Sequence, residues 1–440
     1  MSFYAGIDLG TSYFKAGIYD DAGKLCGLGR VAVPKVVAGD RCELPVEDFR
    51  DALRGCLAGA LAEAGIGAAD LAGLSYSSQA NSFLLLDADG NPLTPMILWP
   101  DRRAGENCEP LAELLRDGNF LANTGIGVTP DGEWMLSKLD WFQKNESEIW
   151  ARTASVMTIS DYLVYSLTGC KAGDMSTASM TCLLDVRDGI WWPEALTIMG
   201  LRKEMLSEPL STGDMAGTVN AKGAATYGLA QGTPLYAGCL DHFAVAIGAG
   251  ILQGPRICES TGTVLAAVRY SNGYFPRKGI ITSPGLDAGH FFQLAFDGNG
   301  ATAVEWYHKN YAPDKTILQL EEEARKVPAG CDGLKAKPRS DSYKGLEGFD
   351  NIRPEHTPAH FLRAIFESTA ATLKELVDKL DPDHIATEVI PSGGGARNTL
   401  WLEIKAELLK RKYLPQASGE LATKGAAAIC TLNEHKNTQI

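Results

Sequence analysis

Residues 6–20, GIDLGTSYFKAGIYD, confine the start of this chain to one arrangement. Phe3 to Ile7 and Phe14 to Tyr19 are apolar runs of strand-forming residues, and the polar corner between them is only a few residues long. A parallel pair needs a crossover of roughly a dozen residues or more, so these strands are antiparallel and joined by a tight loop. Gly10 lets the backbone approach a ligand closely, and Thr11 and Ser12 add hydroxyl and N–H donors beside Asp8, a carboxylate able to hold a hydrated cation. The corner reads either as a phosphate clasp or as an ordinary hairpin with a polar turn.

A chain of 440 residues exceeds one ordinary core, so two domains with a cleft between them are expected. The net charge of -13, without any Lys/Arg cluster, argues against a nucleic-acid surface, so a phosphate ligand has to be met by local donors and a cation. No apolar run is long enough to span a bilayer, and the first strand begins almost at once, which points to a cytoplasmic protein with no membrane partner. The ten cysteines show no CxxC pairs and no zinc spacing, and read as buried or free thiols.

Further along, Lys24 to Val33 reads as a third strand of a meander, and Glu47 to Ala64 as a helix with Phe49, Leu53, Leu57 and Leu61 on its buried face. Leu74 to Tyr76 and Phe83 to Asp87 are short strands on either side of Ser77-Ser78-Gln79-Ala80-Asn81, a polar segment at strand ends where small ligands are commonly held. Trp134 to Gln143 and Ser160 to Leu167 read as helices, and the polar, Gly-rich residues from Gly169 to Ser179 as a separator. The strand beginning at Leu235 runs into Cys239-Leu240-Asp241-His242 and delivers Asp241 at a helix start. His242 adjoins this position, as a satisfied structural histidine first and a substrate contact second.

Ile257 to Val268 repeats the logic of the N-terminus, with Ser260-Thr261-Gly262-Thr263 interrupting strand formers, as a duplicated module would. Residues Ala329 to Pro354 read as a loop or excursion, and Thr357-Pro358 caps a long helix. A third glycine corner, Ser392-Gly393-Gly394-Gly395-Ala396-Arg397-Asn398, lies between the strand Glu388 to Ile390 and the helix Leu400 to Lys410. Three successive glycines suit a base or phosphate resting on the loop, or a flexible turn. Walker, HExxH and GxSxG motifs are absent.

Four elements in this order resemble the FGGY family of carbohydrate kinases over nearly the whole chain. GIDLGTS with Lys15 is similar to the family's first phosphate motif, Asp241 to its catalytic aspartate, Ser260 to Thr263 to its second phosphate motif, and SGGGARN to its adenosine motif. LWPDRRA from Leu98, Lys138 with Trp141, DYLVYSLTG from Asp161 and KGAAA from Lys424 support the match. The resemblance implies an α/β, actin-like (ribonuclease H-like) fold in two domains, with a boundary near Gly250. Residues 1–249 would carry the sugar site and the base, residues 250–440 would carry ATP, and the two would meet at an interdomain cleft.

By the same resemblance, Asp241 is the catalytic base, and Asp8, with Asp241, holds Mg²⁺. Gly10, Thr11, Ser12, Lys15, Gly262 and Thr263 take the phosphates of ATP, while Gly394, Gly395 and Asn398 take the adenosine. Gln79, Asn81, Trp99, Asp101, Arg103, Asp241 and His242 are the expected substrate contacts, although Trp99 also reads as core and Arg103 as half of a surface ion pair. Xylulokinase-like members carry His and Gly where this chain has Asn81 and Ser82, and glycerol kinases carry Arg and Glu where it has Ala80 and Asn81. A ketopentose such as xylulose, or another ketose or polyol, is therefore the expected small-molecule substrate. A kinase for another polyol or a sugar-like signal molecule, and a non-catalytic ATP-binding sugar sensor, are the alternatives, and a homodimer is left open.

Overall fold

The computed structural model describes residues 2–106, 108–262, 264–298, 300–338, 346–416 and 419–436. Thr263 lies outside them. Two compact units divide the chain: residues 2–248, 271–292 and 420–436 form the first, and residues 249–270 and 293–419 the second. This partition differs from a single cut after residue 249, since the helix Leu421–Lys436 packs with the first unit.

The first unit is built on β1 (Phe3–Leu9), β2 (Tyr13–Asp20), β3 (Leu25–Ala32), α1 (Val46–Ala64) and β4 (Leu71–Ser78). They are followed by β5 (Phe83–Leu86), α2 (Met135–Asn145), α3 (Ile159–Thr168), β6 (Met215–Thr218), β7 (Pro234–Tyr236), β8 (Cys239–Leu240) and α4 (Asp241–Gly248). Its main sheet runs β6-β7-β4-β1-β2-β3, with β8 also paired to β4. β1 and β2 are antiparallel, with Asp8 opposite Lys15, as the short corner requires. β1, β7 and β8 are all parallel to β4.

β1 is apolar apart from Asp8 near its carboxyl end, because both of its faces are covered. Ala5, Ile7 and Leu9 join the core formed with Phe49, Leu53 and Leu57 of α1, whereas Tyr4 packs with Tyr19, Ala427 and Cys430. The face of α1 is the expected one, and it lies so close to β3 that a Cβ at Gly29 would sit 1.7 Å from the Cys56 carbonyl oxygen.

The second unit repeats the pattern with β9 (Arg256–Thr261), β10 (Leu265–Asn272), α5 (Pro358–Leu380), β11 (Glu388–Ser392), α6 (Thr399–Leu409) and β12 (Lys412–Tyr413). β9 and β10 are antiparallel, β9 and β11 parallel, and β11 and β12 parallel. The stretch expected to be a loop or excursion carries an antiparallel pair, Lys335–Pro338 with Leu346–Asp350, whose intervening residues lie outside the described ones. Phe349 anchors this pair by stacking edge-on against Phe361 of α5, a tertiary contact that local composition does not reveal. All ten cysteines are free thiols. Among the described residues no helix is long and apolar enough to cross a membrane.

Candidate active site

Strand register gathers the site of the first unit. Asp8 lies level with Ser77 across β1 and β4, and Ser77 with Cys239 across β4 and β8. Three parallel strands therefore end together, and neighbouring strands lie about 4.8 Å apart. The corner Gly10-Thr11-Ser12, the segment Gln79 to Asn81, and Asp241 with His242 all follow from these carboxyl ends, the usual ligand position in sheets of this kind.

Asp8 is buried and accepts a hydrogen bond from Ser77 Oγ (2.9 Å). Burial pushes its pKa up to about 6; Lys15 opposes that rise, and the charges of Asp241 and Glu420 add to it. Asp241 opens α4, where free N–H groups favour an anion, and its Oδ1 accepts the His242 backbone N–H (2.7 Å). A hard cation would relieve the repulsion between Asp8 and Asp241, and carboxylate oxygens suit Mg²⁺. Among the described residues no group of three or more His, Cys, Asp or Glu side chains is placed to hold a metal, so an ion here would depend on phosphate and water for its remaining ligands.

The Gly10–Ser12 corner and the Gln79–Ser82 segment are wired together. Thr11 Oγ1 accepts the Trp99 indole N–H (2.7 Å) and donates to Gln79 Oε1 (3.4 Å), while Gln79 Nε2 donates to the Gly10 carbonyl (3.4 Å). Ser82 Oγ donates to Gln79 Oε1 (3.2 Å) and accepts the Trp99 backbone N–H (2.9 Å). Asn81 sits in the left-handed region (φ 59°), which Asn tolerates, and its Oδ1 accepts the Met135 N–H at the start of α2. Ser12 is exposed, and Lys15 Nζ donates to Glu420 Oε2 (2.8 Å).

Asp101 and Arg103 bind each other. Arg103 donates to both carboxylate oxygens of the buried Asp101 (2.8 Å each) and also to Glu43, and the Cys42 N–H supplies a further donor to Asp101 (2.7 Å). These hydrogen bonds and the guanidinium charge hold the Asp101 carboxyl below the usual range against its desolvation. The ion pair foreseen for Arg103 is thus a buried one.

Three structural roles were not assigned from the sequence, where Lys138 entered only as part of the family match. Lys138 is fully buried, and its Nζ donates to the carbonyls of Asn81, Leu98 and Trp99 (3.1, 3.1 and 3.2 Å). The supposed separator from Gly169 to Ser179 contains the strand Ala172–Asp174 and the helix Met175–Ser179. There Asp174 caps the helix and accepts from Ser176 Oγ (2.7 Å), which in turn accepts the Leu240 N–H (2.8 Å) next to Asp241. The signal was an Asp followed by Ser and Thr, a helix start hidden in a polar run. Glu420 was the third, and only the fold brings it to Lys15.

In the second unit, Gly262 follows β9, and its carbonyl accepts the Ala301 N–H (2.6 Å). Gly394 is open on its Cα face, Gly395 is buried against Thr261, and the Asn398 side chain accepts the Trp401 N–H (2.8 Å) as the cap of α6.

Residues 3–248 match the FGGY family of carbohydrate kinases, N-terminal domain, and residues 343–433 match its C-terminal domain. The chain is 28% identical over 445 residues to the xylulose kinase of Bacillus subtilis (strain 168), covering 98% of this chain and 88% of that relative. It is 26% identical over 436 residues to the L-fuculokinase of Salmonella typhi, covering 96% and 90%. The crystal structure of xylulose kinase from Rhodospirillum rubrum is similar with a TM-score of 0.88 at 25% identity, covering 98% of this chain and 90% of that one. With the actin-like two-domain fold and both domains matched, the chain belongs to the FGGY family of carbohydrate kinases, whose phosphate donor is ATP.

Proposed function

We propose that the protein transfers the γ-phosphoryl group of MgATP to a hydroxyl of a small ketose or polyol, a ketopentose such as xylulose first, with Asp241 as general base. The observation that carries this reading is the placement of Asp241 at the mouth of α4, level with the end of β1 that holds Asp8. Oδ1 is occupied by the His242 N–H, which leaves Oδ2 to take the proton. The sugar oxygen then forms its bond to the γ-phosphorus, the bond from phosphorus to the β–γ bridging oxygen breaks, and ADP leaves. Magnesium would supply charge neutralisation on the phosphate oxygens, with Asp8 and Asp241 as its protein carboxylates.

Because the Thr11 hydroxyl is engaged by Trp99 and Gln79, the phosphates would meet the backbone of Gly10, Thr11 and Ser12, and Lys15 would exchange Glu420 for a phosphate oxygen. Gly262 with Thr263 would take phosphate, and Gly394, Gly395 and Asn398 adenosine. Gln79, Asn81, Trp99 and His242 would face the sugar, with Asp101 and Arg103 holding the turn after Trp99 in place. Xylulose kinase and L-fuculokinase among the relatives support a ketose while leaving its identity open.

Coupled ADP-release assays across ketoses and polyols, with wild type and Asp241→Asn, test the reading. Wild type should turn over at least one sugar, and the variant should lose about 10²- to 10⁴-fold in rate while still binding ATP. Undiminished transfer by Asp241→Asn removes this carboxylate from the mechanism.

A further inference from the structure

Beneath the two glycine corners of the second unit lies an ion pair with no contact to solvent. Lys405 of α6, Glu259 and Thr261 of β9 are each 0% exposed. Lys405 Nζ donates to Glu259 Oε1 (2.8 Å) and Thr261 Oγ1 (2.6 Å), and the Thr261 hydroxyl donates its own hydrogen bond to Glu259 Oε2 (2.8 Å). The Trp401 ring centroid lies 4.9 Å from the ammonium. Ser392 Oγ donates to the Glu259 carbonyl (2.8 Å) and so ties the end of β11 to the same residue.

Thr261 is a wall shared by both corners. It precedes Gly262, and a Cβ at Gly395 would lie 2.7 Å from the Thr261 Cβ, while one at Gly393 would lie 2.9 Å from its carbonyl. Displacing Thr261 would therefore disturb the loop after β9 and the loop after β11 together. A buried ion pair adds little net stability over apolar residues of the same volume, so its distinctive contribution is a fixed geometry.

We propose that Lys405 is a positioning residue for the nucleotide, acting through Glu259 and Thr261 to hold the corners at Gly262 and Gly393–Gly395 in one register. This rests on the reading of those corners as the ATP site of the second unit. It assigns the link a task that neither Lys405 nor Glu259 could perform by touching the ligand, since both are sealed from solvent.

The test is calorimetric titration of full-length protein with MgADP, alongside thermal melting. Lys405→Met/Glu259→Leu removes both charges and keeps the volume, and Thr261→Val removes only the hydroxyl. The double variant is expected to melt near wild type yet bind MgADP about tenfold more weakly, with Thr261→Val shifted in the same direction. If the double variant fails to fold, Thr261→Val, which changes no charge, decides alone. Folded variants that bind MgADP as tightly as wild type overturn the proposal and leave the nucleotide site standing. Wild type that binds no MgADP overturns the site itself, and the positioning role falls with it.

Discussion

Asp8 is held in surroundings that resist its ionisation. Burial raises its pKa from the ordinary 3.8 to about 6, so between these values the folded protein keeps a proton that the unfolded chain has released. Stability linked to this group is therefore full below the unfolded value and is lost as pH rises through about 6, a penalty of about 1–3 kcal/mol for a shift of roughly two units. Asp8→Asn keeps the shape and an acceptor for Ser77. In calorimetry without magnesium or nucleotide, this variant is expected to melt higher than wild type at pH 8 and alongside it at pH 4, while phosphoryl transfer is lost. An equal shift at both pH values would show that the charge is not what destabilises the fold. Asp101 is the opposite case, a buried carboxyl held ionised by Arg103 and therefore suited to bracing a loop rather than exchanging protons.

Single elements hold the loops proposed to carry the chemistry. α2 reaches both Asn81 and the Leu98–Trp99 turn: Met135 N–H is capped by Asn81, and Lys138 Nζ clamps the carbonyls of Asn81, Leu98 and Trp99. Lys138→Met leaves three carbonyls, that of Leu98 buried, without this donor, so denaturant unfolding should report a loss of about 1–3 kcal/mol. The KM for sugar should rise while MgADP affinity of the second unit holds; a variant with unaltered sugar KM would reduce the clamp to a stability feature. The residues that define α1, the hairpin β1–β2 and the helix start at Asp241 were legible, because hydrophobic period, loop length and a polar residue at a strand end are local signals. The role of Lys138 was not, since a lysine on an amphipathic helix normally reads as a solvent-facing charge. Asn81 and Ser82 were legible only as departures from a motif, and the fold uses the Asn81 Oδ1 to hold α2 and the Ser82 hydroxyl to join Gln79 and Trp99.

At the scale of the molecule, each unit pairs a hairpin with a parallel strand, β1–β2 with β4 and β9–β10 with β11, and the first unit adds a helix from the far end of the chain. Within that unit, α7 (Leu421–Lys436) covers the face of β1 that carries Tyr4 and Gly6, and it lies against α4. Lys15 and Glu420 meet across 405 positions of sequence, a closure that no local pattern announces and that composition could not have assigned to the first unit. The contact depends on small residues. A Cβ at Gly425 would fall 1.8 Å from the Ala244 carbonyl oxygen, and one at Gly248 would fall 2.1 Å from that of Leu421, so the backbones of α4 and α7 touch with nothing between them. Because α4 begins with Asp241, the seat of α7 sets the position of the proposed base as well as the cover of the sheet. Gly425→Val should force the helices apart, costing about 1–3 kcal/mol by overpacking, and should lower kcat beyond what the melting temperature explains. Chemical denaturation and turnover measured well below the melting temperature separate the two effects. A variant that is less stable but turns over at the wild-type rate would confine α7 to holding the fold, and one unchanged in both would mean that α4 and α7 do not pack this closely.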